Sequence, residues 1–224
     1  MPAEITLPTL RDTPRRRGGR PPAGQVGEVD RRILNAATSL FLERGFDATS
    51  CDQVAALAGA GKASIYARYA NKEELFAAVV YDNVDRALAP SADVPWCLPL
   101  DARLLAAGRS ILSRSLRPEV VALMRVVMTT AHRMPALARV ADRIGREGGI
   151  ARVAAAIVGQ EDAPPDTLQS ALPVATKFID LVFAPHQMRA LMGEDLATLE
   201  AEAPARIREA TNLLAGPGWL QDWR

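Results

Sequence analysis

The 224-residue chain contains only two cysteines, Cys51 and Cys97, and two histidines, His132 and His186. The cysteines share no metal or redox spacing, and so few soft ligands leave no set for a zinc site. Both read as small core residues in a reducing compartment. No apolar run approaches the ~20 residues of a membrane span, and the N-terminus lacks a signal peptide's apolar core. The expectation is a cytoplasmic protein without a membrane contact. Strand-like alternation is missing throughout. So are a Ser/His/Asp order, a clustered carboxylate pair and a glycine-rich phosphate loop, since neither "GRPPAG" nor "GAGKAS" follows a predicted strand. Nothing therefore points to an enzyme, a cofactor or a metal.

What is present is apolar helix. Apolar residues make up 49% of the chain, enough for a real core at this length. The net charge of +1 hides an uneven distribution. Residues 1–72 hold eleven Lys/Arg against seven Asp/Glu, leaving sixteen against nineteen for the rest. A basic first third on a slightly acidic body suggests a polyanionic partner for the first third alone.

Residues 1–29 show no period and are rich in Pro, Gly and Arg, which predicts a flexible basic arm. Helical spacing begins behind Asp30, a good N-cap, with Ile33, Ala36, Ala37, Leu40 and Phe41, and stops at Gly45. Ser50 and Gln53 form a capping box for a short helix from Cys51 to Ala58. Gly59-Ala60-Gly61 then separates it from a second short helix, Lys62 to Tyr69. Asn71 caps a longer one over 72–88. After a Pro-rich break at 90–99, helices are expected near 100–116, 119–131, 136–158 (one or two), 166–183 and 197–214. Pro204 must kink the last of these or sit in its first turn. The class is all-α: an N-terminal helix-turn-helix three-helix domain at 30–72, a connecting helix at 73–89, and an antiparallel helical bundle at 90–224.

Two short helices are marginal alone and need the flanking helices as a platform. Val54, Leu57, Ala58, Ile65 and Tyr69 can face that platform, which leaves Lys62, Ala63, Ser64, Tyr66, Ala67 and Arg68 pointing outward. This is helix-turn-helix geometry, in which the second helix enters a major groove.

The run "ILNAATSLFLERGFDATSCDQVAALAGAGKASIYARYANKEELFAAVV" resembles the DNA-binding domain of the TetR family of transcriptional regulators. The resemblance implies a homodimer on a double-stranded DNA operator, with a C-terminal domain that dimerises and holds a small, apolar effector. It places Thr49 and Ser50 near the DNA backbone, and Lys62, Ala63 and Ser64 at the base-reading helix start. Tyr66 and Arg68 then contact phosphate or base, and Lys72 a phosphate. Gly61 stands where the family commonly has Ser or Thr. Ala63 replaces a frequent Gly, and its methyl can meet a thymine methyl. The segment "RRRGGRPPAG" resembles an AT-hook core with a glycine inserted. Arg17 and Arg20 either enter an A·T-rich minor groove or give a non-specific basic tail.

The run "LRPEVVALMRVVMTTAHRMPALARVADRIG" resembles the effector domain of the branch that includes efflux and quorum-sensing repressors. Met124, Met128 and His132 share a helical face and, with Trp96 and Phe178, are candidate effector-pocket residues. The alternative for the methionines is core filling. Leu168, Leu172, Ala175, Ile179 and Val182 form one stripe, and Val174, Phe178 and Leu181 a second. The resemblance assigns the second, with Ile207 and Leu214, to a dimer interface; burial within one subunit is the alternative. The function expected is a ligand-responsive regulator, most simply a repressor. A ligand-blind architectural DNA binder is the alternative.

Overall fold

In a computed structural model of the chain, residues 23–88, 96–160 and 163–223 are described. Nine α-helices run through these residues: α1 (Ala23–Arg44), α2 (Cys51–Ala58), α3 (Lys62–Tyr66), α4 (Lys72–Leu88), α5 (Leu100–Ser115), α6 (Pro118–Thr130), α7 (Pro135–Val158), α8 (Pro165–Leu191) and α9 (Leu196–Ala215). A single 3-10 turn follows at Gln221–Trp223. No described helix is long and apolar enough to cross a membrane.

Helices α1–α3 with the first turns of α4 form a small head whose centre is aromatic. Phe41 and Phe76 meet edge-to-face at 4.9 Å between centroids, Phe46 and Phe76 at 5.2 Å, and Phe41 stacks with Phe46 at 5.9 Å. Such geometries add to the burial of the rings. Gly45 ends α1 with φ +76°, a conformation that costs a glycine nothing. The head does not close on itself. Leu123 and Val127 of α6 and Leu137 and Ala141 of α7 complete its buried cluster. Helix α4 leads from the head to the body and packs on both α1 and α7. In the body, α7 lies along α8, and α5 crosses α7, α8 and α9.

Several boundaries differ from the expected ones. Helix α1 starts at Ala23, so residues 23–29 are helix rather than arm, and Asp30 is an interior residue rather than a cap. Gly24 and Gly27 mask the helical period there. Helix α3 stops at Tyr66, with Arg68 and Tyr69 in the following turn. Helix α7 is one helix.

Helix α8 continues past Phe183 to Leu191 through Pro173 and Pro185. Pro185 has no N–H for the Leu181 carbonyl, and the Arg206 Nε of α9 donates to that carbonyl instead, at 3.2 Å. Pro204 lies inside α9, well beyond its first turn.

Candidate DNA-binding surface and body cavity

The turn before α2 is built by two adjacent hydroxyls with different duties. Ser50 is the N-cap: the Gln53 N–H donates to its Oγ at 3.3 Å, and the Gln53 Oε1 accepts from the Ser50 N–H at 2.9 Å. Thr49 is 2% exposed, and its hydroxyl lies within bonding reach of the Leu40 carbonyl (3.1 Å) and the Gly45 carbonyl (2.9 Å). The expectation that Thr49 meets DNA is therefore corrected: its side chain is committed to the α1–α2 turn. Ser50 stays exposed at the head's surface.

Helix α3 is anchored by Ile65, which is fully buried, while Lys62, Ala63 and Tyr66 are exposed and Ser64 is half-buried. These face outward together, as their spacing predicted. Gly61 begins the helix without a side-chain cap. Two acids hold cations of this surface, Asp52 and Asp30, the latter expected from the sequence only as a helix cap. Asp52 of α2 pairs with Lys62, and Asp30 of α1 pairs with Arg68. Arg68 also donates through Nη1 to the Ser64 carbonyl at 2.8 Å. Arg68 thus ties the end of α3 to α1, a role its position in a supposed helix concealed. The pairing with Asp52 holds the Lys62 pKa above its ordinary value.

Lys72 is also committed. Its Nζ donates to the carbonyls of Phe46 (2.9 Å) and Asp47 (3.3 Å) and sits 4.4 Å above the Phe46 ring. It stabilises the turn after α1, and only part of the side chain reaches solvent. Arg17 and Arg20 lie outside the described residues.

In the body, a cavity open to solvent lies between α4, α5, α6, α7 and α8. Of the five residues expected to line an effector pocket, it contains Met124. The others are placed elsewhere. Met128 is exposed, and His132 is exposed in the turn beyond the end of α6. Phe178 is fully buried, and Trp96 rests against Ala107 and Ala156. The helical face assumed for Met124, Met128 and His132 fails because α6 ends at Thr130 and its inner residues are Val121, Leu123 and Val127. Sequence reading missed the polar lining, which includes Asn83, Arg114, Arg146, Arg152 and Gln187. These residues come from four helices, and no local spacing connects them.

The expected dimer contacts divide in two. Val174 and Leu181 are half-buried, whereas Phe178, Ile207 and Leu214 are buried inside the subunit. The correction has a local cause at Gly108 of α5. A Cβ there would lie 2.9 Å from Ile207 Cδ1 and 3.3 Å from Phe178 Cζ, so the glycine lets both side chains pack onto α5. The apolar residues left on the outer surface of α8 and α9 include Met188 and Leu213.

The sequence matches two family profiles. Residues 33–79 match bacterial regulatory proteins, tetR family. Residues 102–215, just over half of the chain, match the AefR-like transcriptional repressor C-terminal domain. Two curated relatives match over part of the chain. The uncharacterized HTH-type transcriptional regulator YhgD of Bacillus subtilis is 52% identical over 50 residues, 21% of this chain and 26% of that protein. The HTH-type transcriptional activator FasR of Mycolicibacterium smegmatis is 36% identical over 84 residues, 34% of this chain and 38% of that protein. The matches thus span well under half of either relative. Among solved structures, the flavonoid-responsive regulator FrrA superimposes with a TM-score of 0.60 at 29% identity, covering 85% of this chain and 97% of that one.

Proposed function

Because the chain belongs to the TetR family of transcriptional regulators, we propose that it is a cytoplasmic, ligand-responsive repressor that binds a palindromic operator as a homodimer. The observation that carries this reading is the outward face of α3. Lys62, Ala63 and Tyr66 stand free of the core on a helix whose other side is anchored by Ile65.

On DNA, Lys62 exchanges Asp52 for phosphate, and the small side chain of Ala63 admits the helix to the base edges. Tyr66 supplies a phosphate or base contact. Ser50, at the start of α2, faces the backbone. Arg68 and Lys72 act mainly by holding the head in shape. Arg17 and Arg20 extend the contact into the flanking duplex and steepen its salt dependence.

Dimerisation uses the outer faces of α8 and α9, through Val174, Leu181, Met188 and Leu213. This is an isologous contact that sets the two α3 helices about one DNA turn apart, ~34–36 Å. The effector enters the body cavity, where Val80 and Val84 of α4 form part of the wall. FrrA's description as flavonoid-responsive supports a ligand response here, and the repressor profile on the C-terminal domain supports the sign. A ligand that favours the DNA-incompetent conformation by ~1–3 kcal/mol changes operator affinity appreciably.

Selection of random duplex DNA by the purified protein, followed by sequencing, tests the reading. An inverted repeat should be enriched. Lys62→Ala and Tyr66→Ala should each weaken binding to it at least tenfold, and removing residues 1–22 should lower the salt slope. Salt-sensitive binding without any enriched motif would instead identify an architectural DNA binder.

A further inference from the structure

The chemistry of the body cavity narrows what it can hold; this inference rests on the effector-responsive reading above. Val80, Val84, Leu123 and Met124 give its α4 and α6 walls an apolar surface interrupted by Asn83, while α5 and α7 contribute Arg114, Arg146 and Arg152 against Asp142. The arginine heads are positioned by the protein. Arg146 pairs with Asp180 at 2.5 Å, and Arg152 donates to the Ser110 Oγ at 3.3 Å. An apolar chamber with positioned guanidinium groups suits a ligand that is mostly hydrocarbon and carries a negative charge.

The shape of the chamber comes from α7, which lines it with Gly145, Gly148 and Gly149. Glycine inside a helix is unfavourable relative to alanine, so each one needs a reason. Gly149 has one in the packing: a Cβ there would lie 3.2 Å from Ile179 Cδ1 on α8. Gly145 has none, because a Cβ there would meet nothing within 4 Å. Internal packing does not explain a bare helix backbone beside an open cavity. The open space over Gly145 leaves room for a flat molecule against that backbone.

We propose that the cavity binds a planar, largely apolar molecule bearing a single anionic group, carboxylate or phenolate. Its ring system lies over α7 at Gly145, and its charge is received by Arg146 and Arg152.

The test uses the full-length protein and two probes of one shape, 2-naphthoate and its uncharged counterpart 2-naphthamide, titrated calorimetrically. Naphthoate should bind at least tenfold more tightly than naphthamide. Arg152→Gln should abolish that preference by weakening naphthoate alone. Gly145→Val should weaken both probes about tenfold while the thermal melt shows an intact fold. Equal affinity of the wild-type protein for the two probes, or no binding of either, overturns the proposal whatever the variants do. Unchanged naphthoate affinity in both variants also overturns it.

Operator binding in the same solutions separates this inference from the functional reading. If naphthoate occupies the cavity with the expected preference but leaves DNA affinity unchanged, the ligand class stands and the effector role fails. If an uncharged molecule releases DNA while naphthoate does not bind, the effector role stands and the ligand class fails.

Discussion

Thr49 spends its hydroxyl inside the head, on the Leu40 and Gly45 carbonyls, although its neighbour Ser50 lies on the surface. Gln53 three residues on marks Ser50 as the cap, but nothing in the sequence says where the Thr49 hydroxyl goes. Only the fold of the α1–α2 turn does so. Thr49→Val keeps the shape and removes the donor, so it should cost about 1 kcal/mol in urea denaturation while duplex affinity stays within twofold. A large loss of DNA binding at unchanged stability would return Thr49 to the DNA surface. Lys62 and Arg68 carry the same lesson with charge. Both read as basic contacts, yet each has an acid from another helix beside it. Lys62 and Asp52 are both well exposed, so phosphate can displace the acid. Arg68 is partly buried and bonded twice, so it stays with the protein.

At the scale of the element, arginines from neighbouring helices reinforce helix ends that glycines already close, Gly159 after α7 and Gly193 after α8. The last carbonyls of α7 face Arg103 of α5, whose Nε donates to Ala156 at 2.8 Å and Nη2 to Ile157 at 3.0 Å. Its Nη1 donates to Leu98 at 3.0 Å. Arg125 of α6 does the same for α8, donating to the Ala190 and Leu191 carbonyls at 2.6 and 3.1 Å. A helix leaves its final carbonyls unpaired, and a guanidinium can reach two at once. Arg103→Met keeps the aliphatic stem and removes those bonds, so it should destabilise the protein by about 2 kcal/mol, measured by chemical denaturation. A change below a few tenths of a kcal/mol would mean that water satisfies these carbonyls equally well. Arg206 makes the third such contact, on the carbonyl that Pro185 leaves open. These bonds explain why α8 outruns its expected end: the proline that interrupts its pattern is compensated from α9.

For the whole molecule, the decisive feature is that the head borrows its core from the body. Leu123, Val127, Leu137 and Ala141 are buried against Phe41, Phe76 and their neighbours, so the head cannot open while α6 and α7 keep their packing. Unfolding should be one cooperative event. The chain provides separate reporters for it. Trp96, Trp219 and Trp223 all lie in the body, whereas Cys51 is buried in the head with its thiol pKa raised by that burial. In a Cys97→Ser background, the urea midpoint from tryptophan fluorescence should coincide with that from Cys51 reactivity. Two separated midpoints would show an independently stable head. The same joint places α4 between the α2–α3 unit and the cavity, which it lines through Val80 and Val84.

The sequence alone determined the all-α class, the α2–turn–α3 unit with its Ser50 cap, and the outward face of Lys62, Ala63 and Tyr66. These are consequences of spacing within a few residues: hydrophobic period, capping chemistry and glycine punctuation act over one or two helical turns. Tertiary structure decided everything that depends on which helix stands opposite. It buried Phe178 and Ile207 where Gly108 makes room, buried Leu214 as well, and left Val174 and Leu181 nearer the surface. It assigned acids to Lys62 and Arg68, and it gathered Arg114, Arg146 and Arg152 around a glycine-lined cavity. The physical reason is that a broad apolar stripe defines a side of a helix but not its partner, and a charge found far away in sequence becomes a neighbour only when the helices have packed.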